Sequence, residues 1–310
     1  MSFSTTSKIS GAGERKLRGV IAAIPTPVGD TGPDHIRLVG LAKHLLEAGC
    51  DGLNLLGTTG EATSFSVSER LAVMSAVAQA GLPMDRIMVG TGAAAVADAV
   101  ALSRHAAMLG FAGILVLPPF YYKPVTAAGL STYIGRIVEA TAETAIPLYL
   151  YNFPALSGIT YSSTLVAELM RQFGARIAGL KDSSGDMDYA TEVASLSDAL
   201  DVFPSTEAQL LVARSGKFAG CISATANISS RECAKAFGSG DEAALRQAIA
   251  LRQMFDGLPL VPAIKHLLSR IHGDEGLARL MPPLVTLTPR EADTLSNRFD
   301  AIVCEQKTRS

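Results

Sequence analysis

Residues 35–61, HIRLVGLAKHLLEAGCDGLNLLGTTGE, hold the unit from which the fold is read. HIRLVGLAKHLLEAG has helical spacing and closes on Gly49, a residue favoured where helices end. GLNLLG then reads as a short buried strand, and GTTGE as the turn at its C-terminal end. The same alternation extends outward in both directions. Candidate strands are VIAAIPTPV, GLNLLG, RIMVGTG, GILVLPP, IPLYLYNFP, IAGLKD, LDVFPST and FAGCISATAN, eight in all, with helical stretches such as SVSERLAVMSAVAQAGL between them. Strand followed by helix, repeated, means parallel strands with right-handed crossovers. Eight such units close into a barrel, whereas a doubly wound open sheet uses about five or six strands and often carries a glycine-rich nucleotide turn. GAG at 11–13 and GTG at 90–92 lack that complete fingerprint, and no GxxxxGK[ST] occurs. After Asn227 the strand pattern stops, and RECAKAF, DEAALRQAIALRQMF, VPAIKHLLSRI and TPREADTLSNRFDAIV all show helical spacing. The expectation is an α/β chain, a (β/α)8 TIM barrel over residues 15–230, with a loose tail over 1–14 and a C-terminal helical subdomain over 231–310.

Bulk properties narrow the function. The chain has 310 residues, 48% of them hydrophobic, which is ample for a large core. Its mean hydropathy is +0.28, yet no apolar run approaches the ~18 residues that span a bilayer. A formal charge of −2 with scattered Lys and Arg leaves no electrostatic footprint for nucleic acid or an anionic membrane surface. Small neutral or anionic ligands remain. Cys50, Cys221, Cys233 and Cys304 stand far apart without a CxxC pair, so they read as reduced thiols rather than a zinc site or a disulfide framework. The opening MSFSTTSKISGAGERK is polar and lacks the apolar core of a secretion signal, which points to a cytoplasmic protein.

In a barrel of this kind the site is built at the C-terminal ends of the strands, so polar residues that end apolar runs carry the chemistry. Strand two runs into GTTGE, where Thr58 and Thr59 sit on a glycine-flanked turn able to approach and bind a carboxylate; the plain alternative is a helix N-cap. Strand five ends in YLYNFP, placing Tyr151 and Asn152 near the mouth; a buried tyrosine is otherwise a core residue with one hydroxyl partner. Strand six ends at Lys181, which either snorkels to solvent or works inside the barrel. Taken together, an amine, a phenol, hydroxyls and an anion-binding turn are the parts of Schiff-base chemistry. An amine attacks a ketone only when neutral, and a free lysine titrates near ~10.4, so a poorly solvated pocket is what makes a lysine a nucleophile.

With these residues in hand, the chain resembles the dihydrodipicolinate synthase and N-acetylneuraminate lyase family of pyruvate-dependent class I aldolases. The resemblance rests on GTTGE, PPFYYK, YNFPALSG, GLKDSSGD and GCISATAN, in that order across most of the chain. It implies an eight-stranded barrel with a helical extension, usually a homotetramer made of two tight dimers. It implies Lys181 as the imine-forming residue, Tyr151 as general acid and base, and Thr59 with neighbouring amides, Gly60 among them, as the holder of the pyruvyl carboxylate. Thr58 would link Tyr151 to a second tyrosine from a neighbouring subunit, Tyr121 by position, with Tyr122 as the rival. Ile222 matches a position whose carbonyl lies beside the pyruvyl group, Glu207 matches an acidic position that contacts substrate hydroxyls in the sialic acid lyases, and Ser183 matches a hydroxyl-bearing position there.

The departures bear on the substrate. Dihydrodipicolinate synthases carry an arginine shortly after the YN motif for the aldehyde's carboxylate, and this chain has Leu156 there. YNFPALSG is more similar to the sugar-acid lyases, and closest in motif to 2-keto-3-deoxygluconate aldolases. STEA stands where sialic acid lyases have Gly-Tyr-Asp-Glu, with Ser205 in place of the glycine. The resemblance therefore implies a cofactor-independent lyase that cleaves or forms a 2-keto-3-deoxy sugar acid, giving pyruvate and an aldehyde through a covalent imine on Lys181. The alternatives are a 4-hydroxy-tetrahydrodipicolinate synthase, a dehydratase or deaminase using the same lysine, and a non-enzymatic pyruvate-binding regulatory barrel. His35, His44, His105, His266 and His272 form no close ligand cluster, so no metal is expected.

Overall fold

The computed structural model describes residues 17–309, and the loose tail expected over 1–14 lies outside the described residues. Eight strands form one sheet: β1 (Gly19–Ala23), β2 (Gly52–Leu55), β3 (Ile87–Gly90), β4 (Gly113–Val116), β5 (Leu148–Asn152), β6 (Ile177–Asp182), β7 (Asp201–Pro204) and β8 (Gly220–Ser223). The order is β7-β6-β5-β4-β3-β2-β1-β8, and the named pairings are all parallel. The ring closes through Ala219, whose N–H donates to the Val202 carbonyl (2.9 Å) and whose carbonyl accepts from the Gly19 N–H (2.8 Å). This is the (β/α)8 barrel read from the alternation, and each strand falls within a residue of its expected stretch.

Parallel strands covered on both faces bury every position, which is why they read as continuous apolar runs. Outward side chains such as Val20, Leu53, Val89, Ile114 and Leu150 pack against the surrounding helices. Inward ones, including Ile21, Met88, Leu115, Tyr149, Phe203 and Ile222, fill the barrel. The helix His35–Glu47 starts where Asp34 accepts from the Arg37 N–H (3.0 Å), and Val67–Gln79 starts on a capping box between Ser66 and Glu69. Gly49 and Gly81, with φ of 103° and 69°, turn the chain after these helices as only glycine does readily.

One irregularity decides which way the end of β6 faces. Leu148 pairs with Ile177 but Tyr149 pairs with Gly179, so Ala178 is an extra residue in β6. From there the register runs Leu150 to Leu180, Tyr151 to Lys181 and Asn152 to Asp182. Side chains alternate with period two, so without the bulge the faces of Leu180 and Lys181 would be exchanged. The Tyr149 ring lies across the neighbouring strands: an added methyl would come 2.6 Å from it at Gly179 and 2.8 Å at Gly113.

After β8 the chain continues as the helices Ala226–Ser239, Glu242–Gln253, Leu260–His272 and Pro289–Arg309, covering the stretches expected to be helical. Leu260–His272 buries Ala263, Ile264, Leu267 and Leu268 in the main core, which anchors this layer to the barrel. Among the described residues no helix is long and apolar enough to cross a membrane.

Burial pushes the Cys50 thiol up to about 12 and holds those of Cys221 and Cys233 well above the ordinary value, while Cys304 is exposed. Brief iodoacetamide treatment of the native protein should therefore label Cys304 alone, by peptide mass mapping; rapid labelling of Cys221 or Cys233 would contradict the core described here. Gly179→Ala should lower stability by about 1–3 kcal/mol, read from a urea midpoint, because the added methyl would run into the Asp201 carbonyl oxygen and come 2.6 Å from the Tyr149 ring.

Candidate active site

The GTTGE turn follows β2 and is bracketed by two residues in the left-handed region, Leu56 at φ 49° and Glu61 at φ 53°. Such backbone costs about 1–3 kcal/mol per residue and persists only where the surroundings hold it. Here the hold is a buried ion pair. Lys265, on Leu260–His272, pairs with Glu61, and the two side chains are 1% and 0% exposed. The second Glu61 oxygen accepts from the Met281 N–H (2.7 Å), and Lys265 also donates to the Arg279 carbonyl (2.7 Å). Burial lowers the Lys265 ammonium below the usual lysine value, against the pull of Glu61. The Gly60 carbonyl accepts from the Thr26 hydroxyl (2.8 Å), while the N–H groups of Thr59 and Gly60 make no hydrogen bond among the described residues. Two unspent donors on a rigid turn suit a carboxylate. Thr58 caps no helix; its hydroxyl is within 3.2 Å of the Tyr151 hydroxyl.

Tyr151 and Lys181 are neighbours across the β5–β6 ladder and both face the barrel interior. Lys181 Nζ lies 3.3 Å from Tyr151 Oη and 4.4 Å from the centre of its ring. The lysine is only 4% exposed, so it does not snorkel, and it forms no ion pair among the described residues. The outward residues that follow lock the two strand ends together. Asn152 Nδ2 donates to Asp182 Oδ1 (2.8 Å), Asn152 Oδ1 accepts from the Tyr161 N–H (3.1 Å), and the Ser184 hydroxyl donates to Asp182 Oδ2 (2.8 Å). An amine, a phenol and a hydroxyl thus stand in a hydrogen-bonded row, an arrangement in which an amine adds to a ketone and a phenol passes protons.

The row opens into a cavity of about 500 Å³. Thr58, Thr59, Tyr151, Lys181, Ser183 and Ile222 line it, as do Ser205 and Leu156, and its far wall includes Pro259, Leu260 and Pro283 from the C-terminal layer. A smaller apolar cavity of about 270 Å³ shares Thr58, Tyr151 and Leu156 with it. Among the described residues no group of three or more His, Cys, Asp or Glu is placed to hold a metal ion.

One expected site residue lies elsewhere. Glu207 is 0% exposed and does not line the cavity; it accepts from the hydroxyls of Ser223 and Thr225 and pairs with Arg252. Its position just past β7 sends it beneath the end of β8, where neighbours consume both oxygens. Tyr121, expected to act in a neighbouring subunit's site, is 76% exposed and stacked edge-on against Tyr122. Sequence reasoning passed over Asp182, Glu61, Lys265 and Arg252. The signal for Asp182 was its place directly after Lys181, matching Asn152 directly after Tyr151.

Residues 16–298 match the model of the dihydrodipicolinate synthetase family. A DapA-like lyase of Chloroflexus aurantiacus is 33% identical over 293 residues, 92% of this chain and 97% of that one. A 4-hydroxy-tetrahydrodipicolinate synthase of Methanococcoides burtonii is 32% identical over 304 residues, covering 94% and 100%. The crystal structure of dihydrodipicolinate synthase from Agrobacterium tumefaciens superposes with a TM-score of 0.85 at 29% identity, covering 92% of this chain and 99% of that one. YagE of E. coli, a member of the dihydrodipicolinic acid synthase family solved in complex with pyruvate, gives 0.82 at 26%, covering 92% and 98%.

Removing one partner of a buried ion pair costs about 3–5 kcal/mol. Lys265→Met should accordingly lower the melting temperature far more than a surface change, and adding Glu61→Gln should restore part of the loss. Equal stability of Lys265→Met and the wild type would show that the pair does not support the turn.

Proposed function

The chain belongs to the dihydrodipicolinate synthetase family and is a carbon–carbon lyase of the class I, Schiff-base-forming kind, and from that premise we propose that Lys181 bonds to pyruvate and Tyr151 moves the protons. The observation that carries this reading is the row Lys181 Nζ, Tyr151 Oη, Thr58 Oγ1, at 3.3 and 3.2 Å, in the wall of one cavity.

The Lys181 amine adds to C2 of pyruvate, and loss of water leaves the imine. Loss of a methyl proton then turns the imine into an enamine, whose C3 attacks the aldehyde carbon of the acceptor. The resulting alkoxide takes a proton from Tyr151, and hydrolysis returns the amine. Cleavage runs the same steps backwards: a base removes the hydroxyl proton and the imine accepts the electrons of the C3–C4 bond. Thr59 and the free amides of Thr59 and Gly60 take the pyruvyl carboxylate, with Ile222 and Ser183 lining the space beside it. Pyruvate as donor is supported by the complex of YagE.

For the acceptor, the names of the relatives support condensation of pyruvate with an aldehyde, as in a 4-hydroxy-tetrahydrodipicolinate synthase. A second reading, cleavage of a 2-keto-3-deoxy sugar acid, is favoured by Leu156, which lines the cavity 62% exposed where an arginine would meet a carboxylate.

Borohydride added with pyruvate should fix one pyruvyl group on the Lys181 peptide, and its absence there would contradict the mechanism. Tyr151→Phe should still be trapped, yet turn over about a hundredfold or more slower. Product analysis separates the two acceptors. Consumption of pyruvate with a carboxylate-bearing aldehyde supports the first reading, and release of pyruvate from 2-keto-3-deoxygluconate the second.

A further inference from the structure

The cavity is lined by the amine of Lys181, by one arginine, Arg252, and by one carboxylate, Glu61, which is spent on Lys265 and the Met281 N–H. Arg252 lies in the last turn of Glu242–Gln253, on the side of the mouth formed by β7 and β8. Its Nη1 donates to Glu207 Oε2 (3.1 Å), Thr225 Oγ1 (3.2 Å) and Ser223 Oγ (3.4 Å). Behind it, the other Glu207 oxygen accepts from the Ser223 (2.5 Å) and Thr225 hydroxyls. The carboxylate is wholly buried and the Arg252 side chain is 34% exposed, so the cavity meets Arg252 and not the acid behind it.

Only one of the three guanidinium nitrogens is engaged; Nε and Nη2 donate to nothing among the described residues. A guanidinium offers its hydrogens in a rigid planar fork that fits a carboxylate through two parallel bonds. Anchoring Nη1 reduces the side-chain freedom that binding would otherwise remove. We propose that Arg252 is the specificity residue for the acceptor, binding a carboxylate on its non-reacting end and committing the enzyme to acidic aldehydes. The pyruvyl carboxylate has its own place at the GTTGE turn after β2, two strands from β8, so a carboxylate on Arg252 belongs to the second substrate.

This proposal rests on the lyase reading above, which the borohydride adduct on Lys181 decides separately. Its own test compares succinate semialdehyde with butanal, acceptors of equal length with and without the charge, using pyruvate as donor. The wild type should favour the acid in kcat/KM by about tenfold or more, and Arg252→Lys, which keeps a cation beside Glu207 but loses the fork, should cut that ratio by about tenfold. Independently of turnover, succinate should protect Arg252 of the wild type from phenylglyoxal, read by peptide mass mapping. This second arm stands even if the variant fails to fold or no aldehyde is turned over. An unchanged ratio in a folded Arg252→Lys protein, or labelling of Arg252 that succinate does not slow, would overturn the proposal and leave Arg252 as the partner of Glu207 only.

Discussion

The proposed chemistry depends on the pairing of Tyr151 with Lys181 across β5 and β6. Side-chain direction in a strand has a period of two, so a residue at a strand end faces either the barrel interior or the helix layer, with nothing between. The extra residue Ala178 sets that parity for β6. Directly after it, Gly179 leaves room for the Tyr149 ring, and two residues further on the amine meets the phenol at 3.3 Å. The outward neighbours Asn152 and Asp182 are bonded to each other at 2.8 Å, so the inner pair is fixed from behind by a polar clasp that no solvent reaches.

A second constraint acts on the opposite side of the mouth. The GTTGE turn is bracketed by two residues with left-handed backbone, Leu56 before it and Glu61 at its end, a conformation that relaxes unless it is held. Glu61 is both one of those residues and the partner of Lys265, so strain and restraint meet at one position. The helix layer after β8 thus contributes more than bulk. It grips the turn through Lys265, supplies one wall of the cavity, and brings Arg252 to the rim. Barrel and tail form one site.

The barrel was legible because its strands are buried on both faces and read as plain apolar runs, and because the breaks in those runs, at Thr58, Tyr151 and Lys181, fall where such a fold places its chemistry. What escaped the sequence was direction and long-range partnership. An acid after β7 looks the same whether it meets solvent or, as Glu207 does, two buried hydroxyls and an arginine. Lys265 looks like any charge on a helix, yet its partner lies 204 residues away and both are sealed from water. The bulge at Ala178 changes no residue type and leaves no local trace.

The central claim is that strand register places a nucleophilic amine and its proton carrier at one reacting centre, and a crystal structure of the protein with pyruvate tests it most directly. The account predicts continuous density from Lys181 Nζ to C2 of the pyruvyl group, its carboxylate on the amides of Thr59 and Gly60, and Tyr151 Oη within hydrogen-bond reach of the reacting end. A Lys181 side chain with a free end beside pyruvate bound elsewhere, or a Tyr151 hydroxyl turned away from the adduct, would contradict it.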